Sequence, residues 1–293
     1  MEEKEGKLAA VDYVVESIKA DLARASSSRH NRIFEAIAIA ALGSIPWVGG
    51  VIATAAAEAA HKIKSGEEAA ERDSLLQEWL QEHQRRLLEL QTTLEEMGRR
   101  LEGFGEEMVD RITSEGYLTL VRKTFREWDE ADTDEKKRLL VNLITNAAGK
   151  RLVSDDIVRL FLDWIDSYHE SHFAVIREIY KRGDTPPTRY DIWVAVYGEP
   201  VPRDDSGDAD LFRMLIRDLS TGGVIRQPRE TDYQGHFLKK RSGGSRRPSS
   251  STMESSFEDT KQYVLTELGS KFVHYTMTEL VRQIGGPPAE EKK

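Results

Sequence analysis

The chain has 293 residues, enough for two domains around a sizeable core, and its 42 Lys+Arg against 51 Asp+Glu give a net charge of −9. That sign disfavours general affinity for nucleic acid or anionic lipid. Cysteine is absent, which excludes disulfides, thiolate metal centres and cysteine nucleophiles and fits a cytoplasmic setting.

The opening "MEEKEGKLAAVDYVV" is acidic and lacks the basic and apolar regions of a secretory signal, so export by the general route is not expected. Leu8, Val11, Val14, Val15, Ile18 and Leu22 share one helical face, and "SSSRHN" at 26–31 then interrupts the pattern with several N-cap candidates. From Ala36 to Ala57 no charge occurs, in a chain that is 32% charged. A straight helix of that length would cross a hydrocarbon core of about 30 Å. Gly43, Pro46, Gly49 and Gly50 argue instead for two helices of about ten residues joined by a turn at "GSIPWVGG", each too short to span. Ala36/Ala40 and Ala53/Ala57 have the small-xxx-small spacing that permits close helix approach. This apolar hairpin, 33–60, is expected to be stowed within a bundle at rest. Its turn residues Ile45, Pro46, Trp47, Val48, Gly49 and Gly50 are the candidates for membrane contact or assembly. Arg29, His30 and Arg32 before it, and His61, Lys62 and Lys64 after it, suit two ends emerging together near anionic headgroups, or a solvated helix end equally well.

Residues 70–104 form the most regular segment. Leu76, Leu80, His83, Leu87, Leu90, Leu94, Met97, Leu101 and Phe104 recur in steps of three and four, a heptad seam about 40 Å long. Trp79, Leu75 and Leu88 lie off the seam, and the expectation is that more than one face is buried within an intramolecular bundle. "EEMVDRITSEGYLTLVRKTFREWDEA" is expected to be one amphipathic helix. "DTDEKKRLLVNLITNAAGK" opens on Asp132 or Thr133 ahead of Glu135 and closes on Gly149. "SDDIVRLFLDWIDSY" takes Ser154 as its cap, and "HESHFAVIREIYKRG" ends the helical series. Domain one is therefore placed at 1–182.

"DTPP" marks a boundary, and a second domain is placed at 186–284. Two short helices, "TRYDIWVAVYG" and "DADLFRMLIRDLS", precede a β-like "VIRQPR" and a second β-like "GHFLKK". A polar Gly/Ser-rich tip at 241–256, a short strand and a final helix follow, with 285–293 as a tail. This is the layout of a winged-helix module. The tip region holds the strongest basic group, Lys239, Lys240, Arg241, Arg246 and Arg247, which could contact phosphates. The helix that would enter a groove carries Asp208, Asp210 and Asp218 against Arg213 and Arg217, which disfavours duplex binding.

His169 and His172 in "YHESH" are expected to be partly exposed, without a third ligand, so no metal or other cofactor is expected. Phosphate-binding glycine motifs and nucleophile elbows are absent, and the many paired carboxylates are assigned to solvated helix faces. Neither enzymatic activity nor a small-molecule substrate is expected.

Three features together resemble a loose class of bacterial proteins of abortive-infection and other conflict loci. They are the hairpin with "SIPWVGG", the block "DEKKRLLVNLITNAA…SDDIVRLFLDWIDSYHESHFAVIREI", and the ending "YVLTELGSKFVHYTM". The resemblance implies a regulated, non-enzymatic effector or adaptor, bacterial and cytoplasmic. The expected fold class is mainly α, a multi-helix bundle with a long heptad-patterned helix plus a small α+β winged-helix-like domain. Expected partners are a protein or further copies of the chain, a membrane on activation, and, ranked lower, nucleic acid. Alternatives are a DNA-binding winged-helix regulator and a structural scaffold.

Overall fold

The computed structural model describes residues 29–46, 48, 85–86, 88–101, 108–149, 153–183, 185–228, 233–234, 236, 255–257 and 260–277. The fold of these residues is mainly helical, and contacts divide the chain into two units, Met1–Asp166 and Ser167–Lys293. The helical region 4–25, the second hairpin arm, the first half of the heptad segment, the Gly/Ser tip before Ser255 and the tail lie outside the described residues.

The first unit contains α1 (Arg29–Ser44), α2 (88–101), α3 (Val109–Ile112), α4 (Glu115–Glu130), α5 (Asp134–Ala148) and all but the last residue of α6 (Asp155–Ser167). α4 is its hub, packing on α1, α3 and α5. Tyr117, Leu120, Val121, Thr124, Phe125 and Trp128 form its buried stripe at helical spacing. Polar atoms on that stripe are satisfied internally. The Tyr117 hydroxyl donates to the Ile144 carbonyl at 2.9 Å, and the Thr124 hydroxyl to the Leu120 carbonyl at 2.8 Å. Along α2, Leu90, Leu94, Met97 and Leu101 are buried, whereas Leu88 is 63% exposed, contrary to a second buried face at that position. Arg100 donates to Asn142 at 2.7 Å and Lys137 to Glu89 at 2.8 Å, tying α2 to α5.

One expected helix is two. Thr113 and Ser114 interrupt it because the Ser114 hydroxyl donates to the Arg111 carbonyl while accepting the Tyr117 N–H at 3.3 Å. A serine that bonds both ways ends one helix and caps the next. Thr133, of the two caps considered for α5, supplies the oxygen that accepts the Lys136 N–H.

The second unit holds α7 (Glu170–Arg182), α8 (Arg189–Tyr197), α9 (Gly207–Thr221), β1 (Ile225–Arg226), β2 (Val264–Leu265) and α10 (Glu267–Thr276). α7, assigned by its periodicity to the first domain, makes contacts with α8, α9, α10 and β2. β1 pairs antiparallel with β2, Ile225 opposite Leu265 and Arg226 opposite Val264. Residues 237–240 of "GHFLKK" lie outside the described residues, and β1's partner is the later "VL" segment. A lone bridge joins Thr188 to Gln262. Phe212, Phe257 and Trp193 cluster, with the two Phe rings stacked 5.6 Å apart.

α10 meets the α9–β1 link at van der Waals range. The Thr266 hydroxyl donates to the Gly223 carbonyl at 2.7 Å and accepts the Gly269 N–H at 2.9 Å. A Cβ at Gly269 would lie 2.2 Å from the Val224 carbonyl oxygen. Gly269→Ala is therefore expected to destabilise the second unit by about 1–3 kcal/mol through overpacking, despite alanine's better helix propensity. Urea denaturation checks this, and wild-type stability would mean that the backbone yields freely.

Candidate functional site

α1 is the first arm of the apolar hairpin and runs for 16 residues, Arg29 to Ser44. It is longer than the ten-residue arm expected, because the polar "RHN" joins the helix. Ile45 is bent and helical backbone resumes at Pro46. That order follows from proline chemistry: the residue before Pro avoids the α region, and Pro itself suits a helix start. Ile37, Ala38, Ala40, Ala41, Ile45 and Val48 are buried, and alanines on this side let α1 approach α4 closely. The Ser44 hydroxyl, also buried, donates to the Ala41 carbonyl at 2.7 Å. Ile39, Gly43 and Pro46 form the opposite, exposed side, with Ile39 at 59% exposure. Trp47, Gly49 and Gly50 lie outside the described residues. No helix among the described residues is long and apolar enough to cross a membrane.

A second feature escapes the sequence. A cleft of about 230 Å³ opens among Glu127, Glu130, Ala131, Asp132, Lys136, Leu140, Ile165 and Asp166. Glu127 stands on the buried side of α4, so the assignment of its carboxylate to a solvated face is corrected. The signal was its spacing, three after Thr124 and seven after Leu120. Its Oε2 is buried without a hydrogen-bond partner, and Lys123 Nζ lies 3.6 Å from Oε1. Burial pushes this carboxyl up to about 7, with Lys123 opposing. The Lys136 ammonium beside it donates to the Asp166 carbonyl at 3.0 Å and lies 3.5 Å from Asp132. Such a group can hold or release one proton near neutral pH.

In the second unit His172 is only 2% exposed, which corrects the expected pair of partly exposed histidines; His169 is exposed. Among the described residues no group of three or more His, Cys, Asp or Glu could hold a metal ion. The basic residues Lys239, Lys240, Arg241, Arg246 and Arg247 lie outside the described residues. On α9, Arg213 pairs with Asp210 at 2.6 Å and also engages the Asp204 carbonyl and the Ser256 hydroxyl. Arg217 Nε is 3.6 Å from Asp218. Both cations of the helix that would meet a duplex already face acids on the same helix.

Glu127 sets a pH dependence. Its folded value of about 7 exceeds the ordinary 4.5, so the folded form binds the extra proton between them. Stability of the first unit is then present below pH 4.5 and declines as pH rises through about 7, by roughly 3 kcal/mol in all. Glu127→Gln should flatten this decline in denaturation curves measured from pH 4.5 to 8, and an unchanged slope would locate the titration elsewhere.

No protein-family model, curated protein or solved structure matches the chain. The sites therefore stand on their own geometry.

Proposed function

We propose that the chain is a non-enzymatic, cytoplasmic effector or adaptor of bacterial antiphage defence. Its apolar hairpin is sheltered at rest and meets a membrane or other copies of the chain on activation. The observation that carries this reading is the two-sidedness of α1. One side of the arm is buried on α4, while Ile39, Gly43 and Pro46 on the other side are exposed. Exposing Ile37, Ile45 and Val48, all buried, would cost about 5–9 kcal/mol. That is comparable to the whole stability of a typical domain, about 5–15 kcal/mol. Release therefore requires a new apolar partner, which a bilayer or a second hairpin supplies.

The burial of Leu90, Leu94, Met97 and Leu101 supports a heptad-type seam between α2 and its own bundle. In the second unit the order α7, bridge at Thr188, α8, α9, β1, β2, α10 supports a winged-helix layout, with α9 in the recognition position. Asp208 and Asp210, together with the pairing of Arg213 and Arg217, favour a protein contact there over DNA.

The test separates shelter from exposure. Ala41 is fully buried, so Ala41→Phe should overpack the α1–α4 contact and free the arm. This variant should release dye from anionic vesicles, or self-associate, at concentrations where the wild type does neither. Adding Ile39→Lys, a surface change of small folding cost, should suppress either gain. A folded Ala41→Phe protein that neither leaks nor assembles, or a double variant as active as the single one, overturns the proposal.

A further inference from the structure

The start of α7 is built around a buried imidazole. His172 Nδ1 accepts the His169 backbone N–H at 3.1 Å, which satisfies one of the amides left over at a helix N-terminus. An acceptor nitrogen carries no proton, so the neutral ring has its hydrogen on Nε2. That Nε2 is buried and has no hydrogen-bond partner. It lies 4.0 Å from Asp218 Oδ2 on α9, too far for a hydrogen bond but close enough for attraction once the ring is charged. The Tyr168 ring stacks on the imidazole at 4.9 Å, and its hydroxyl packs against Gly222 at the end of α9.

We propose that this arrangement is an acid-sensitive latch: protonation of His172 at Nδ1 ejects the His169 amide, and the resulting imidazolium moves its Nε2–H onto Asp218. The first turn of α7 loses its cap while the ring gains a charged partner. The two states differ by one hydrogen bond exchanged for another, which is what a switch near balance needs. The charged and titratable groups at the ring are His169 and the Tyr168 phenol from its own segment and Asp218 from α9. α8 and α10 meet α7 farther along, through Asp191 near Arg182 and His274 against Tyr180, and β2 offers no titratable side chain. Burial first, and then His169, hold the imidazole below its ordinary value of 6.5, with Asp218 opposing. The ring therefore resists protonation in the folded state, and the latch opens below pH 6.5, not at neutrality. The proposal is independent of any role for α1.

The experiment is a titration of the full chain followed by ¹⁵N–¹H spectroscopy and by hydrogen-exchange protection factors. At pH 8 His172 should be the Nε2–H tautomer. As pH falls below 6.5, its protonation should coincide with about a fivefold loss of protection at the His169 amide, the equivalent of one typical net hydrogen bond. Asp218→Asn should move the transition to lower pH. His172→Gln, whose carbonyl can still accept the amide, should abolish the pH dependence. An Nδ1–H tautomer at pH 8, protection that persists through His172 protonation, or an Asp218→Asn transition at the wild-type pH would each overturn the latch. Tautomer and protection are read on the wild type, so the proposal stays falsifiable even if His172→Gln does not fold.

Discussion

The buried stripe of α4 is the surface on which the first unit is assembled. α4 buries Tyr117, Leu120, Val121, Thr124, Phe125 and Trp128, and α1, which packs on it, buries Ala38, Ala40 and Ala41 beside Ile37. Small residues on one helix and aromatic residues on the other are complementary halves of a single packing solution. The ion pairs around α4 follow from that packing. Lys123 reaches Asp163 on α6 at 2.6 Å, and Arg86 reaches Asp129 at 2.6 Å, once the helices are already close. An exposed pair such as Lys123–Asp163 contributes about 1 kcal/mol or less and orients more than it stabilises.

The elements were legible in the sequence wherever a cap and a period agreed. α5 runs from Thr133 to Gly149 as its cap residues announce, and α7 ends at Gly183, whose φ of 52° suits glycine. Where two signals compete, pattern alone misleads. The apolar period of α3 and α4 continues across Thr113 and Ser114, yet the side-chain hydrogen bonds of Ser114 outbid the helical ones locally. Leu88 sits two residues before Leu90, and at 100° per residue that turns it about 200° away from the buried set of α2, where it is exposed.

Glu127 and His172 were missed for the same physical reason. Sequence patterning sorts residues by polarity and assigns the polar ones to solvent, so a titratable group on a buried stripe is placed outside. Their positions betray them. Glu127 shares the spacing of Thr124 and Leu120, and His172 directly precedes the buried Phe173 and stands three before Val175. Polar residues at core spacing thus mark where a fold accepts an energetic cost.

These two groups act in opposite directions. Acidification from neutrality protonates Glu127 in the folded first unit before it would in an unfolded chain, and so relieves a buried charge. The same acidification protonates an unfolded His172 more readily than the folded one, and so weakens the second unit. One change of pH therefore tightens the unit that holds α1 and loosens the unit that holds α7. Acid acting on Glu127 thus firms the first unit rather than loosening it, because the ionised carboxyl is the form that burial penalises. In the second unit the contact that added protons oppose is the His169 amide on His172 Nδ1, since an imidazole nitrogen cannot accept that hydrogen bond once it carries a proton.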